Sequence, residues 1–196
     1  MDKERFQKQL DFILEADKAK NILRQTHLSG HGRRENDAEH AWHMAIMIYL
    51  LKEYANEEFD AAKAMMMALI HDIVEIDAGD TFAYDREAQT TQKMREEKAA
   101  ERIYGLLPED QRDELRALFV EFETGETPEA RFAKAMDNLQ PLLLTESNDG
   151  ADWQGLNLTK EQVMKRHEKT YLGSKFIGEY SESIIDKNVE KGNIYG

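Results

Sequence analysis

The stretch Ala64–Asp80, AMMMALIHDIVEIDAGD, constrains the fold more than any other part of the chain. It opens on an unbroken apolar run, Met65-Met66-Met67-Ala68-Leu69-Ile70, and passes straight into His71-Asp72. A helix carrying that run is buried on nearly every side. His71 and Asp72 are therefore expected to enter the interior together. A buried carboxylate is costly unless it is paired or binds a metal, so the pair asks for a cation. Glu75 comes four residues after His71 and three after Asp72, which puts all three on one face of a helix. Asp80 follows Ala78-Gly79, where such a helix stops. A core helix whose polar end reaches solvent would explain a lone histidine, but it explains this run of titratable groups less well.

Length and composition set the frame around that helix. The 196 residues fit one domain, or one domain with a helical extension, and suffice for a sizeable core. Only 3 Pro and 11 Gly against 33% charged residues predict long helices and few tight turns. No segment alternates convincingly enough for a strand and no internal repeat is visible, so the fold class is all-α. The absence of Cys excludes a disulfide framework, a zinc–thiolate site and a Cys nucleophile. The N-terminus, MDKERFQKQL, is charged throughout and unlike a signal peptide, and no apolar run approaches transmembrane length. A soluble cytoplasmic protein is expected. The net charge of -13 argues against nucleic acid and anionic membrane as partners. It leaves room for a small anionic substrate at a locally positive site.

Along the chain, Asp2–Ala19 reads as a first helix, and Leu28–Arg34 (LSGHGRR) as a loop. Asn36 and Glu39 form a capping box for a helix to about Tyr54, with His40 in its first turn and His43 on the next. Asp60 can cap the central helix. Asp85–Leu106 is a charged helix with sparse apolar positions, expected to be peripheral and exposed. Another helix follows Pro108. Thr127-Pro128 then starts a helix through Leu144, with Asp137 beside its apolar stripe and a kink expected at Pro141. Spacing alone allows Asp137 to be a ligand or a solvent-facing residue. Two closing helices are read at Thr159–Thr170 and Ser174–Glu190. His27 and His31 in a loop, and His167 in a charged terminal helix, read as ordinary residues.

The order His40, His71-Asp72, Asp137 resembles the H…HD…D pattern of the HD-domain metal-dependent phosphohydrolases. The segments ENDAEHAWHMA and LIHDIVEIDAGDTFAYD look like the branch containing bacterial 5'-deoxynucleotidases and their eukaryotic HD-domain relatives. The likeness runs from about Asp17 to Leu144. It implies a single HD domain over 1–196, with its core at about 17–144, a C-terminal helical extension at 145–196, and a metal site between central helices. By this resemblance His40, His71, Asp72 and Asp137 bind one divalent cation. Two imidazoles and two carboxylates suit Mn, Co, Zn or Fe better than Ca, and Mg stays in the set. The resemblance implies that Glu75 moves a proton to the leaving oxygen or positions the attacking water. Asp72 is the other candidate for a proton relay. It further implies substrate contacts by Asp80 with the adjoining Thr81, and a phosphate-orienting Arg24, with Arg33 and Arg34 as alternative clamps. One departure is Gln25, which stands where the bacterial deoxynucleotidases have a sugar-packing Trp. Another is the longer SGHGRR loop before His40. Both bear on sugar selectivity and leave the metal chemistry untouched.

The leading expectation is therefore a nucleotidase that releases phosphate from (deoxy)nucleoside 5'-monophosphates, with a homodimer implied by the resemblance. The other readings are an HD phosphohydrolase for nucleoside triphosphates, cyclic nucleotides or alarmones, and a metal-stabilised helical interaction module without turnover. An HD-fold di-iron oxygenase would need histidines beyond His43, the only one left near the site.

Overall fold

The computed structural model describes residues 2–196. Helix α1 (Lys3–Ala16) leads through a 3-10 turn into an antiparallel hairpin, β1 (Leu23–His27) and β2 (Arg34–Asn36). Helices α2 (Asp37–Leu51), α3 (Ala61–Ile70) and the one-turn α4 (Glu75–Ala78) follow. Then come α5 (Arg86–Tyr104), α6 (Glu109–Thr124), α7 (Pro128–Ser147), α8 (Lys160–His167), the short α9 (Thr170–Gly173) and α10 (Lys175–Glu190). The all-α expectation holds, with the hairpin as an addition.

The interior forms where α2, α3 and α7 meet. Met44, Met47 and Ile48 of α2 pack against Ala64, Met67 and Ala68 of α3 and against Phe132, Ala133, Met136 and Leu139 of α7. Alanines at 64, 68, 130, 133 and 135 are fully buried, which lets the helix axes approach closely. Polar residues carried on these three helices are thereby delivered to one place. The capping box is present: Glu39 N–H donates to Asn36 Oδ1 at 3.0 Å, and Asn36 N–H donates to the Glu39 carboxylate at 3.1 Å. It sets where α2 begins, and so the height of His40 in its first turn.

Six local expectations need correction. The first helix ends at Ala16 rather than Ala19. Residues 23–36 contain a hairpin, although the side chains do not alternate clearly. Its register is irregular between Leu23 and His27, and it turns the Arg24 side chain inward. The central helix does not run on through Glu75: it breaks after Ile70 into a 3-10 turn, His71–Val74, before α4. The break frees the Ile70 carbonyl, which accepts from the buried Tyr104 hydroxyl at 3.0 Å. That tyrosine shows why α5 is not peripheral. Its last turns bury Ala99, Ala100, Ile103 and Tyr104 against Ile70, Ile73, Val74 and Phe119. Finally, His167 is buried, and α7 runs through Pro141 to Ser147, past the expected end.

The C-terminal segments form a third core of Leu142, Trp153, Leu158, Val163, Ile184, Ile185 and Ile194. This core fixes α8 and the Trp153 loop beside the end of α7. No helix of the described residues is long and apolar enough to cross a membrane.

Candidate metal centre and substrate cleft

His40 comes from the first turn of α2, His71 and Asp72 from the 3-10 turn after α3, and Asp137 from the middle of α7. The Nε2 atom of His40 lies 3.2 Å from Asp137 Oδ1 and 3.8 Å from Asp72 Oδ2. The Nε2 atom of His71 lies 3.0 Å from Asp72 Oδ1 and 3.9 Å from Asp137 Oδ1. Donor atoms bound about 2.1 Å from a common ion stand roughly 3.0–3.4 Å apart, so these spacings are close to those of a shared coordination sphere.

The outward nitrogens of both rings support the same fit. His40 Nδ1 faces Gln140 Oε1 at 2.9 Å, and His71 Nδ1 faces the Ala68 carbonyl at 2.8 Å. Both acceptors are oxygens, so in each neutral ring Nδ1 carries the proton and Nε2 keeps its lone pair. Two lone pairs and two carboxylates then converge, and His71 Nε2 has no hydrogen-bond partner. Such a centre is repulsive without positive charge. Burial disfavours the charged form of His71, but the Asp72 and Asp137 carboxylates outweigh it and push the ring up to about 9. Burial likewise works against the Asp72 charge, yet His71 and Arg24 hold that carboxyl well below its ordinary value. The residues present fit a divalent cation.

A second group of acids stands behind this centre. The carboxylates of Asp37, Asp72 and Glu75 come within 4.8 Å of one another. Glu75 is buried, and burial together with Asp72 and Asp37 pushes it up to about 11. Burial and Asp72 push Asp37 up to about 7. Glu75 reaches this position through the 3-10 break and not through a shared α-helical face. Gly79 then takes φ +75°, a conformation that glycine adopts freely, and turns Asp80 back into the cleft. Burial pushes Asp80 up, with Arg24 opposing.

Arg24 is brought to the site, but its Nη1 donates to Asp72 Oδ2 at 2.7 Å and lies 3.5 Å from Asp37 Oδ1. Thr81 lines the cleft and its Oγ1 accepts from Arg95 at 2.8 Å. Arg34 is exposed on the hairpin and lies outside the lining, while Arg33 pairs with Glu39. His43 faces Gln140 Nε2 at 3.1 Å rather than the metal centre.

The cleft has two compartments that share Arg24, Asp80, Thr81 and Arg166. One, of about 660 Å³, holds His71, Asp72, Glu75 and Asp137, with Lys134 on its wall. The other, of about 650 Å³, is lined by Gln25, Phe82, Tyr84, Trp153 and His167. Sequence reasoning missed Glu35, Asp37, Lys134, Gln140 and Arg166. Glu35 and Asp37 flank the capping Asn36 and read as polar helix-start residues. Gln140, three residues after Asp137 on an apolar helix, was the one visible hint. Nothing local marks Arg166, which reaches the cleft only through the packing of α8.

A model of the HD domain family matches residues 16–175. The chain belongs to that family. As an HD domain protein it is similar, at 47% identity, to a predicted metal-dependent phosphohydrolase from Magnetospirillum magnetotacticum MS-1. The two structures superpose with a TM-score of 0.93 over 98% of this chain and 97% of that one. It is 34% identical over 111 residues to the 5'-deoxynucleotidase HDDC2 of Homo sapiens, covering 57% of this chain and 53% of that protein. The Schizosaccharomyces pombe 5'-deoxynucleotidase hdd1 is 28% identical over 110 residues, 54% of each chain. The chain thus spans about half the length of the curated relatives it matches.

Proposed function

We propose that this HD domain protein is a metal-dependent phosphohydrolase that removes phosphate from nucleoside 5'-monophosphates, deoxynucleotides among them. The observation that carries the proposal is the convergence of the His40 and His71 Nε2 atoms with the Asp72 and Asp137 carboxylates, with the buried Glu75 close to Asp72. The deoxynucleotidase names of its relatives support the substrate class.

His40, His71, Asp72 and Asp137 are the proposed ligands of one divalent ion from the set Mn, Co, Zn, Fe and Mg. Such an ion supplies charge neutralisation on the phosphoryl oxygens and acidifies a water. The residues of the chain do the rest. Glu75 holds the proton that the leaving sugar oxygen needs when the P–O bond breaks. Arg24 holds Asp72 in orientation through Nη1. Asp80 and Thr81 lie where the two compartments join and contact the substrate there. The nucleoside enters the aromatic compartment, where the half-buried Phe82 and Tyr84 are the rings placed for stacking.

A homodimer in the cytoplasm, where nucleotide pools reside, belongs to the same reading. The dimer is supported by an unpartnered apolar stripe on α2, with Trp42 62%, Tyr49 57% and Leu50 62% exposed. A monomer by light scattering at micromolar concentration removes that part alone.

The test of the activity is product analysis with nucleoside mono-, di- and triphosphates and cyclic nucleotides, each with Mn, Co, Zn and Mg. Equimolar phosphate and nucleoside from monophosphates is the expected result. Release of pyrophosphate or triphosphate moves the substrate class, and metal binding with no turnover leaves an interaction module.

A further inference from the structure

The substrate in this reading carries a dianionic phosphate into a strongly acidic compartment. Asp72, Glu75, Asp80, Glu96, Glu123 and Asp137 line it. A metal ion neutralises part of that charge, and the phosphate needs further cations for its remaining oxygens. Three basic side chains line the compartment: Arg24, Lys134 and Arg166. Arg24 is committed to Asp72 and Asp37. Lys134 Nζ sits 4.5 Å over the Phe122 ring and 3.8 Å from Glu123 Oε1. Arg166 differs from both. Among the described residues its guanidinium makes no hydrogen bond and no ion pair, although it is only half exposed and acids surround it. Its charge acts to lower Asp80 and Asp137, both of which line the same compartment.

Its backbone is fixed. Thr159 and Gln162 cap α8 reciprocally, and Val163 is fully buried in the C-terminal core. Val163 and His167 point inward, so Arg166, between them on the helix, is presented to the cleft from a rigid support. It lines both compartments and so stands where a 5'-phosphate gives way to its nucleoside. A free guanidinium at such a junction matches phosphate geometry with two parallel N–H donors.

We propose that Arg166 is the substrate-binding residue that clamps the phosphate of the incoming nucleotide, while Arg24 positions Asp72. The proposal rests on the phosphohydrolase reading above for its substrate. It assigns a binding role to the segment beyond residue 144, which is the structural complement to the metal centre.

The test compares wild type with Arg166→Gln and Arg166→Lys, all metal-loaded. Calorimetric titration with inorganic phosphate gives Kd, and nucleotide hydrolysis gives KM and kcat. Metal content and thermal melting serve as controls. In Arg166→Gln the phosphate Kd and the nucleotide KM should rise together by about 10- to 100-fold, the scale of a charge-assisted hydrogen bond. The Lys variant should recover part of the loss, and metal content and Tm should stay at wild-type values. A phosphate Kd within twofold of wild type in the folded, metal-loaded Gln variant overturns the assignment, as does a wild-type protein that binds no phosphate. Wild type that binds phosphate through Arg166 but hydrolyses no nucleotide upholds the clamp and overturns the phosphohydrolase reading instead.

Discussion

Gln140 Oε1 accepts from His40 Nδ1 at 2.9 Å, joining α7 to the first turn of α2 inside the protein. The same amide donates through Nε2 to Glu35 at 2.7 Å and to His43 at 3.1 Å. These donations fix which end of the amide faces His40, and hence which ring nitrogen of His40 stays free. Gln140→Leu should leave His40 unoriented. Metal affinity should fall about 10- to 100-fold, as for other lost partners of ligating histidines. Competition with a chelator reads this directly, and an unchanged affinity in a folded variant would show that packing alone holds the ring.

Glu75 is the group to test for chemistry as distinct from binding. Glu75→Gln keeps the shape and much of the hydrogen bonding but removes the titratable acid. Metal content and KM should stay near wild type, and kcat should fall by about 10²–10⁴, the usual scale of general acid–base catalysis. Loss of metal would make Glu75 a ligand. Full activity would end its assignment as proton donor.

The parts of this site that could be read from sequence are those fixed by local rules. The apolar run before His71 forces burial, the Asn36–Glu39 box sets the start of α2, and Asp137 lies beside an apolar stripe. The hidden parts depend on contacts between distant segments. Helical periodicity could not show that the chain breaks at Ile70, because the break is supported by Tyr104 from α5. Nor could it show that Arg24 turns inward to Asp72, 48 residues away, or that α8 brings Arg166 to the cleft. His167 has the sequence setting of a surface residue in a charged helix, yet it is buried, with its edge on the aromatic compartment.

That burial has a pH signature. Burial, with Arg166 beside it, depresses His167 to about 3, against an ordinary value of about 6.5. Between those values the unfolded chain binds a proton that the folded chain does not, so stability rises with pH across that window. The contribution is fully present above about pH 6.5 and is lost as pH falls toward 3. It amounts to several kcal/mol at most, since each tenfold change in proton affinity is worth about 1.4 kcal/mol. In melting curves from pH 7 to 4, His167→Gln should lose less stability than wild type. Parallel curves would show that His167 protonates freely in the folded state.

Gln25 lines the aromatic compartment and is exposed. An amide packs less well than an indole against a deoxyribose. The difference in kcat/KM between dAMP and AMP should therefore be modest, worth roughly 1–3 kcal/mol. A much larger preference for dAMP would point to Phe82 or Trp153, which line the same compartment. Trp42, 62% exposed on α2, lies outside its lining.

The metal content of Asp137→Ala bears most directly on the central claim. Asp137 Oδ1 faces both His40 and His71, so its loss removes the α7 side of the centre. Elemental analysis should find one divalent ion per wild-type chain and close to none in the variant, with phosphate release abolished alongside. Full occupancy in a folded Asp137→Ala protein would contradict the four-residue ligand set and with it the proposed site of phosphate hydrolysis.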